Sequence, residues 1–107
     1  MKKGSVKLSV LYPDESGKSF NIDYYCNKHL PMVAGLLGDA VIGASVESGL
    51  AGGAPGSSAA FIAMGNLYFE TMDSFQNSFG PNAAAIMADV PNYTNIEPII
   101  QISEVKM

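Results

Sequence analysis

The 107-residue chain has no arginine and no tryptophan, and only one cysteine (Cys26) and one histidine (His29). Each lack excludes something. Without arginine, no planar fork is available to clamp a carboxylate or phosphate in two-pronged fashion. A single cysteine allows no internal disulfide and fits a reducing cytoplasm, which is the expected location. All six basic residues are lysines, and none falls between Lys28 and Lys106, a stretch that carries Asp39, Glu47, Glu70, Asp73, Asp89, Glu97 and Glu104. With a net charge of −4, the chain has no positive patch to displace counterions from nucleic acid. It has no polybasic surface for an anionic membrane either. No apolar run approaches the roughly 18 residues of a membrane span. The opening Met-Lys-Lys-Gly-Ser-Val-Lys leads into alternation rather than the apolar core of a signal peptide. Neither nucleic acid nor membrane is therefore expected as a partner.

Chemical motifs are just as sparse. One histidine and one cysteine give no His-x-His, Cys-x-x-Cys or two-histidine-one-carboxylate set, so no metal is expected. There is no phosphate-binding glycine loop, no dinucleotide fingerprint and no nucleophile elbow. Nothing specifies a haem with His29 as axial ligand. No cofactor is expected from these residues.

What is present is apolar: 48% of residues are hydrophobic and only 15% charged. That is too apolar for disorder, and the length suits one domain over residues 1–107. So little charge suggests that part of the outer surface is covered by a second copy.

Val6, Leu8, Val10 and Tyr12 alternate with polar neighbours and predict a strand over 5–12. Asn21 is a good N-cap for a helix over 21–37, with Ile22, Tyr25, Cys26, His29, Met32, Val33 and Leu36 as its apolar stripe. Pro31 predicts a kink or break inside it. Gly35 and Gly38 mark its end. Residues 40–50 read as a second strand, 51–58 as a glycine-rich hairpin loop, and 59–69 as a strand apolar on both faces. Thr71 caps a second helix, whose apolar face is Met72, Phe75 and Phe79. Gly80-Pro81 predicts an interruption, followed by a short helix over 83–88 with Ile86, Met87 and Val90 inward. A last strand covers 96–105.

The order β-α-β-β-α-β packs as a four-stranded antiparallel sheet with both helices on one face, the ferredoxin-like α+β arrangement. The other sheet face would then be wet in a single copy, which points to a homodimer formed through that face.

His29 is the strongest candidate for chemistry, because imidazole exchanges protons near neutral pH. The plain alternative is a helix-stripe histidine satisfied by hydrogen bonds. Tyr25, four residues earlier, shares its face and could orient a carbonyl or enol oxygen. Tyr24 adjoins it. For both tyrosines ordinary packing is the competing reading. Cys26 reads as a small hydrophobe more readily than as a nucleophile. Met32, Met64, Met72 and Met87 with the phenylalanines could line a site for an apolar ligand, or simply form core.

Three runs, Phe20-Asn-Ile-Asp-Tyr-Tyr-Cys-Asn-Lys-His29-Leu-Pro31-Met, Gly80-Pro-Asn-Ala-Ala-Ala-Ile-Met-Ala-Asp89-Val-Pro-Asn-Tyr93-Thr and Pro98-Ile-Ile-Gln-Ile-Ser-Glu-Val, resemble the EthD family, named for ethyl tert-butyl ether degradation. The resemblance covers nearly the whole chain. It implies a dimeric α+β barrel in which two ferredoxin-like subunits pack sheet to sheet. It marks His29 as the histidine of a His-x-Pro motif and places Tyr25, Asp89 and Tyr93 at motif positions. Asn82 stands where many relatives carry a histidine. The wider superfamily includes isomerases, monooxygenases and haem enzymes, so fold alone does not choose an activity.

The expected site therefore has His29 and Tyr25 as catalytic residues, with Tyr24, Met32, Asp89 and Tyr93 binding a small, apolar, weakly polar metabolite between helices and sheet. Acid/base or oxidative chemistry without a cofactor is one function. A noncatalytic accessory protein that holds the metabolite for a partner oxygenase is the other.

Overall fold

The computed structural model describes residues 2–107. Strand β1 spans Val6–Pro13, β2 Gly43–Ser48, β3 Phe61–Phe69 and β4 Ile99–Glu104. Helix α1 runs over residues 22–37 and helix α2 over Met72–Ala88. The sheet order is β2-β3-β1-β4, with every neighbouring pair antiparallel. Both crossovers carry a helix, and both helices cover the same face. This is the expected ferredoxin-like α+β fold.

Cross-strand register assigns the faces. Val6, Leu8, Val10 and Tyr12 stand opposite Phe69, Leu67, Gly65 and Ala63. Because side chains alternate along a strand, these residues share the helix-facing side. There Val6, Leu8 and Phe69 meet Val33, Leu37, Phe75 and Ile86 in one core cluster. A second cluster, Tyr12, Tyr25, Ala63, Tyr93 and Ile96, lies at the other end of the sheet. One core is aliphatic and phenylalanine-rich; the other is built from tyrosines.

The helix ends follow local chemistry. The Asn21 side chain accepts from the backbone N–H of Tyr24 at 3.0 Å, and Thr71 accepts from Ser74 at 3.0 Å. Both satisfy donors that a helix start leaves unpaired. Gly38 closes α1 at φ +59°, a conformation that glycine adopts without steric cost. Gly35 lies inside the helix instead of ending it.

The two helix prolines behave differently from each other. Pro31 does not end α1, but the expected irregularity is present, because the α-helical pattern gives way just before it. The turn Tyr25–His29 is a π-turn, closed by the Leu30 N–H bonding to the Tyr25 carbonyl. This wider turn lies immediately before Pro31, where the ring would otherwise crowd the preceding backbone. The inserted residue also changes the stripe. The buried positions become Tyr25, His29, Val33 and Leu37, while Cys26 and Leu36 are exposed. Gly80-Pro81 does not interrupt α2 either. The helix is continuous, braced by the Ser78 hydroxyl donating to the Ser74 carbonyl (2.7 Å) and the Asn82 amide donating to the Ser78 carbonyl (2.8 Å). Met72, expected inward, is exposed.

Strands β2, β3 and β4 are shorter than their apolar patterns. Residues 96–98 precede β4, and Ile96 is buried in a turn rather than in the sheet. The open face of β3 is less apolar than expected. Asn66 is buried there, donating to Glu47 (2.8 Å) and Ser45 (3.2 Å). Lys7 lies 5.9 Å over the Tyr68 ring on the same face. No helix of the described residues is long and apolar enough to cross a membrane.

Candidate functional site

Three segments converge on the tyrosine-rich end of the molecule. The first is the start of α1, the second is the turn Val90–Asn92 that follows α2, and the third is the end of β1 against β3. Backbone bonds tie the first two together. Asn21 N–H donates to the Tyr93 carbonyl at 2.7 Å, and Phe20 and Thr94 form an isolated antiparallel bridge. Chain regions some seventy residues apart are thereby held side by side.

His29 is buried, and its Nδ1 lies 2.9 Å from Oδ2 of Asp89. Asp89 caps the C-terminal end of α2. Its other oxygen, Oδ1, accepts from the Tyr24 hydroxyl and from the Asn92 amide, each at 2.8 Å. Asn92, the strongest influence, holds the Asp89 carboxyl below its ordinary value; His29 and Tyr24 add to this, and partial burial works against it. The same Asp89 bond raises the Tyr24 phenol. An ionised carboxylate can only accept, so Nδ1 carries the proton. In the neutral ring Nε2 is then the bare acceptor. Among the described residues no buried polar side-chain atom is without a partner. Nε2 has no bonded protein group, so it faces open space rather than packing.

His29 also lines a small cavity of about 40 Å³ between helices and sheet. Tyr12, Tyr25, His29, Gly65 and Tyr93 are among the residues that line it. Phe79, Met87 and Ile100 line it as well, and Met87 and Ile100 are 39% and 43% exposed. The cavity has room for only a few water-sized groups, so it admits the reacting end of a molecule and not the whole of a large one.

The rings around it are closely packed. Tyr25 stacks on His29 with centroids 5.4 Å apart and planes 16° apart, and Tyr93 approaches His29 at 4.7 Å. The Tyr12 and Tyr93 hydroxyls share a hydrogen bond of 2.7 Å. The Tyr25 ring meets the Tyr12 ring edge-on, with centroids 5.7 Å apart. Burial pushes all three phenols well above their ordinary range. They remain protonated and serve as hydrogen-bonding groups, not as bases.

Five of the six expected site residues meet here: His29, Tyr25, Tyr24, Asp89 and Tyr93. Asp89 is engaged by three side chains and so orients His29 instead of offering a free carboxylate. Met32 does not join them; it packs against the aliphatic core, and Met87 is the methionine at the cavity. Asn82 lies away from the cavity, bonding the Ser78 and Leu36 carbonyls. Three participants were not anticipated. Tyr12 stands on the inward set of β1, which alternation already showed. Asn92 lies within the Ala-Asp-Val-Pro-Asn-Tyr run. Gly65 is the one glycine in the most apolar strand. Among the described residues, no group of three or more histidine, cysteine or acidic side chains is placed to hold a metal.

A ferredoxin-like α+β domain with a buried histidine, paired to a half-buried aspartate and lining a tyrosine-rich cavity, is the class of protein that this structure defines. The chain matches the EthD domain over residues 14–97, and it belongs to the EthD family. It is similar to an EthD-like protein from Ralstonia eutropha JMP134, at 41% identity and a TM-score of 0.88, over 96% of this chain and 93% of that one. An EthD family protein from Bacillus halodurans C-125 shares the fold, with a TM-score of 0.65 at 19% identity over 94% of this chain and 97% of that one. No curated protein matches the chain.

Proposed function

We propose that the chain catalyses proton transfer on a small neutral metabolite, with His29 as general base and acid. The observation that carries this reading is the division of labour on one imidazole. Asp89 holds Nδ1, and Nε2 is left without a protein partner on a ring that lines the cavity. Asp89 thus acts as a positioning residue, with Asn92 and Tyr24 keeping its carboxylate ionised and fixed. Tyr25 and Tyr93, whose rings pack on the imidazole, and Tyr12, bonded to Tyr93, provide protonated hydroxyls suited to a carbonyl or enol oxygen. The substrate is neutral and mostly apolar, since the cavity lining holds no lysine and Asp89 repels anions. Its reacting end enters the cavity and the remainder lies at the mouth by Met87 and Ile100.

The reading is tested without knowing the product. Neutral ketones and lactones with exchangeable α-protons are incubated with the protein in D₂O, and deuterium uptake is followed by NMR. Uptake by the native chain should fall about 10²–10⁴-fold in His29→Ala, the usual worth of a positioned general base. Equal uptake by both proteins would sink the proposal. Ligands that raise the melting temperature without exchange would favour the noncatalytic accessory role.

We further propose a homodimer through the open sheet face. Leu11, Met64 and Tyr68 lie there half-buried, uncovered by either helix.

A further inference from the structure

We propose that Gly65 is a positioning residue: the missing side chain is the notch that seats the Tyr25 hydroxyl against the sheet, beside Tyr12. Gly65 lies in the interior of β3, directly across from Val10 on one side and Val46 on the other. Its neighbours on the same face, Ala63, Leu67 and Phe69, all carry side chains. Glycine weakens a strand interior, because it packs nothing and costs backbone entropy. Some local need must offset that.

The need is space and not conformation. Only Gly4, Gly17, Gly38 and Gly56 have positive φ among the described residues, so the Gly65 backbone suits any residue. A Cβ placed on Gly65, however, would overlap the Tyr25 hydroxyl oxygen and stand 3.1 Å from Cζ and 3.5 Å from Cε2 of that ring. The obstruction is therefore concentrated on one oxygen. With a Cβ present, the phenol would swing away from the sheet. It would leave Tyr12, disturb its stacking on His29 and change the cavity. This inference stands whether or not a reaction occurs at His29.

The test is a double-mutant cycle with a spectroscopic readout. Gly65→Ala, Tyr25→Phe and the double variant are compared by thermal unfolding. Because the hydroxyl carries the worst overlap, Gly65→Ala should lower the melting temperature less than half as much on the Tyr25→Phe background as on the native one. The chain has a single histidine, so the His29 Cε1–H resonance is unambiguous in proton NMR and feels the ring current of the stacked Tyr25. It should shift by more than its line width in Gly65→Ala, a change that general destabilisation does not produce. If Gly65→Ala alone does not fold, refolding of the double variant supports the notch by rescue. Equal losses on both backgrounds, an unmoved His29 resonance in folded Gly65→Ala, or failure of the double variant to fold would each overturn it.

Discussion

His29 gains its direction from Asp89, and the two residues predict different phenotypes. Asp89→Asn keeps the shape but allows an amide N–H to face Nδ1, which favours the wrong tautomer. Proton exchange should then fall strongly while the fold persists, as checked by circular dichroism. The same carboxylate sets an acid limit. Its folded pKa is lowered, so its contribution is present above the ordinary value of 3.8 and is lost as pH falls through the folded value. Urea midpoints of the native chain should decline on acidification below that point, with a shallower decline in Asp89→Asn. The phenols act with the opposite sign. The folded pKa values of Tyr12, Tyr25 and Tyr93 are raised, so their contribution is intact below the ordinary value of 10.0 and is lost as pH rises above it. Alkaline titration followed by phenolate absorbance should show these three ionising together with unfolding, and Tyr12→Phe should remove one of them from that step. Tyr25 was legible because it precedes His29 by four residues, and Asp89 and Tyr93 because their run resembles the EthD motif. The roles were not. Asp89 lies sixty residues from His29, and no local pattern says which oxygen of a carboxylate meets which nitrogen.

At the scale of elements, caps, strand alternation and the irregularity before Pro31 behaved as local physics requires, and Pro81 did not. Asn21, Thr71 and Gly38 act within one turn of themselves, so sequence suffices to place them. Whether a proline breaks a helix depends on what the flanking turns do. In α1 a π-turn widens the backbone before Pro31. In α2, packing of Phe75 and Ile86 into the core holds the helix together across Pro81. Proline remains costly there, at about 3 kcal/mol relative to alanine in a helix interior, offset in part by its restriction of the unfolded chain. Pro81 is exposed, so Pro81→Ala should stabilise the protein by about 1–2 kcal/mol in urea unfolding. A destabilised variant would show that the proline is built into the packing. Thr71→Ala should cost about 1 kcal/mol through the lost cap.

At the scale of the whole molecule, the low charge noted in the sequence has two structural counterparts. One is the site, where the only ionised group among the named residues is Asp89, paired with His29. The other is the open sheet face, where polar pairs such as Asn66 with Glu47 lie among Leu11, Met64 and Tyr68. A dimer through that face predicts a two-copy mass by sedimentation at micromolar concentration. Leu11→Glu, which puts an unpaired charge in the interface, should shift the chain to monomer and lower its concentration-dependent melting temperature. A native chain that sediments as a monomer would refute the arrangement.

The sequence by itself determined the order of strands and helices, the inward set of β1, the caps and the candidate histidine. Each of these rests on interactions within a few residues or on a simple period of side-chain direction. Only the tertiary structure decided that Asp89 faces His29, that Tyr12 joins the tyrosines, that Cys26 and Met32 stand apart from the site, and that Gly65 leaves the space Tyr25 occupies. Those outcomes depend on the crossovers, which bring distant residues into contact, and on a helix register that a single π-turn changes.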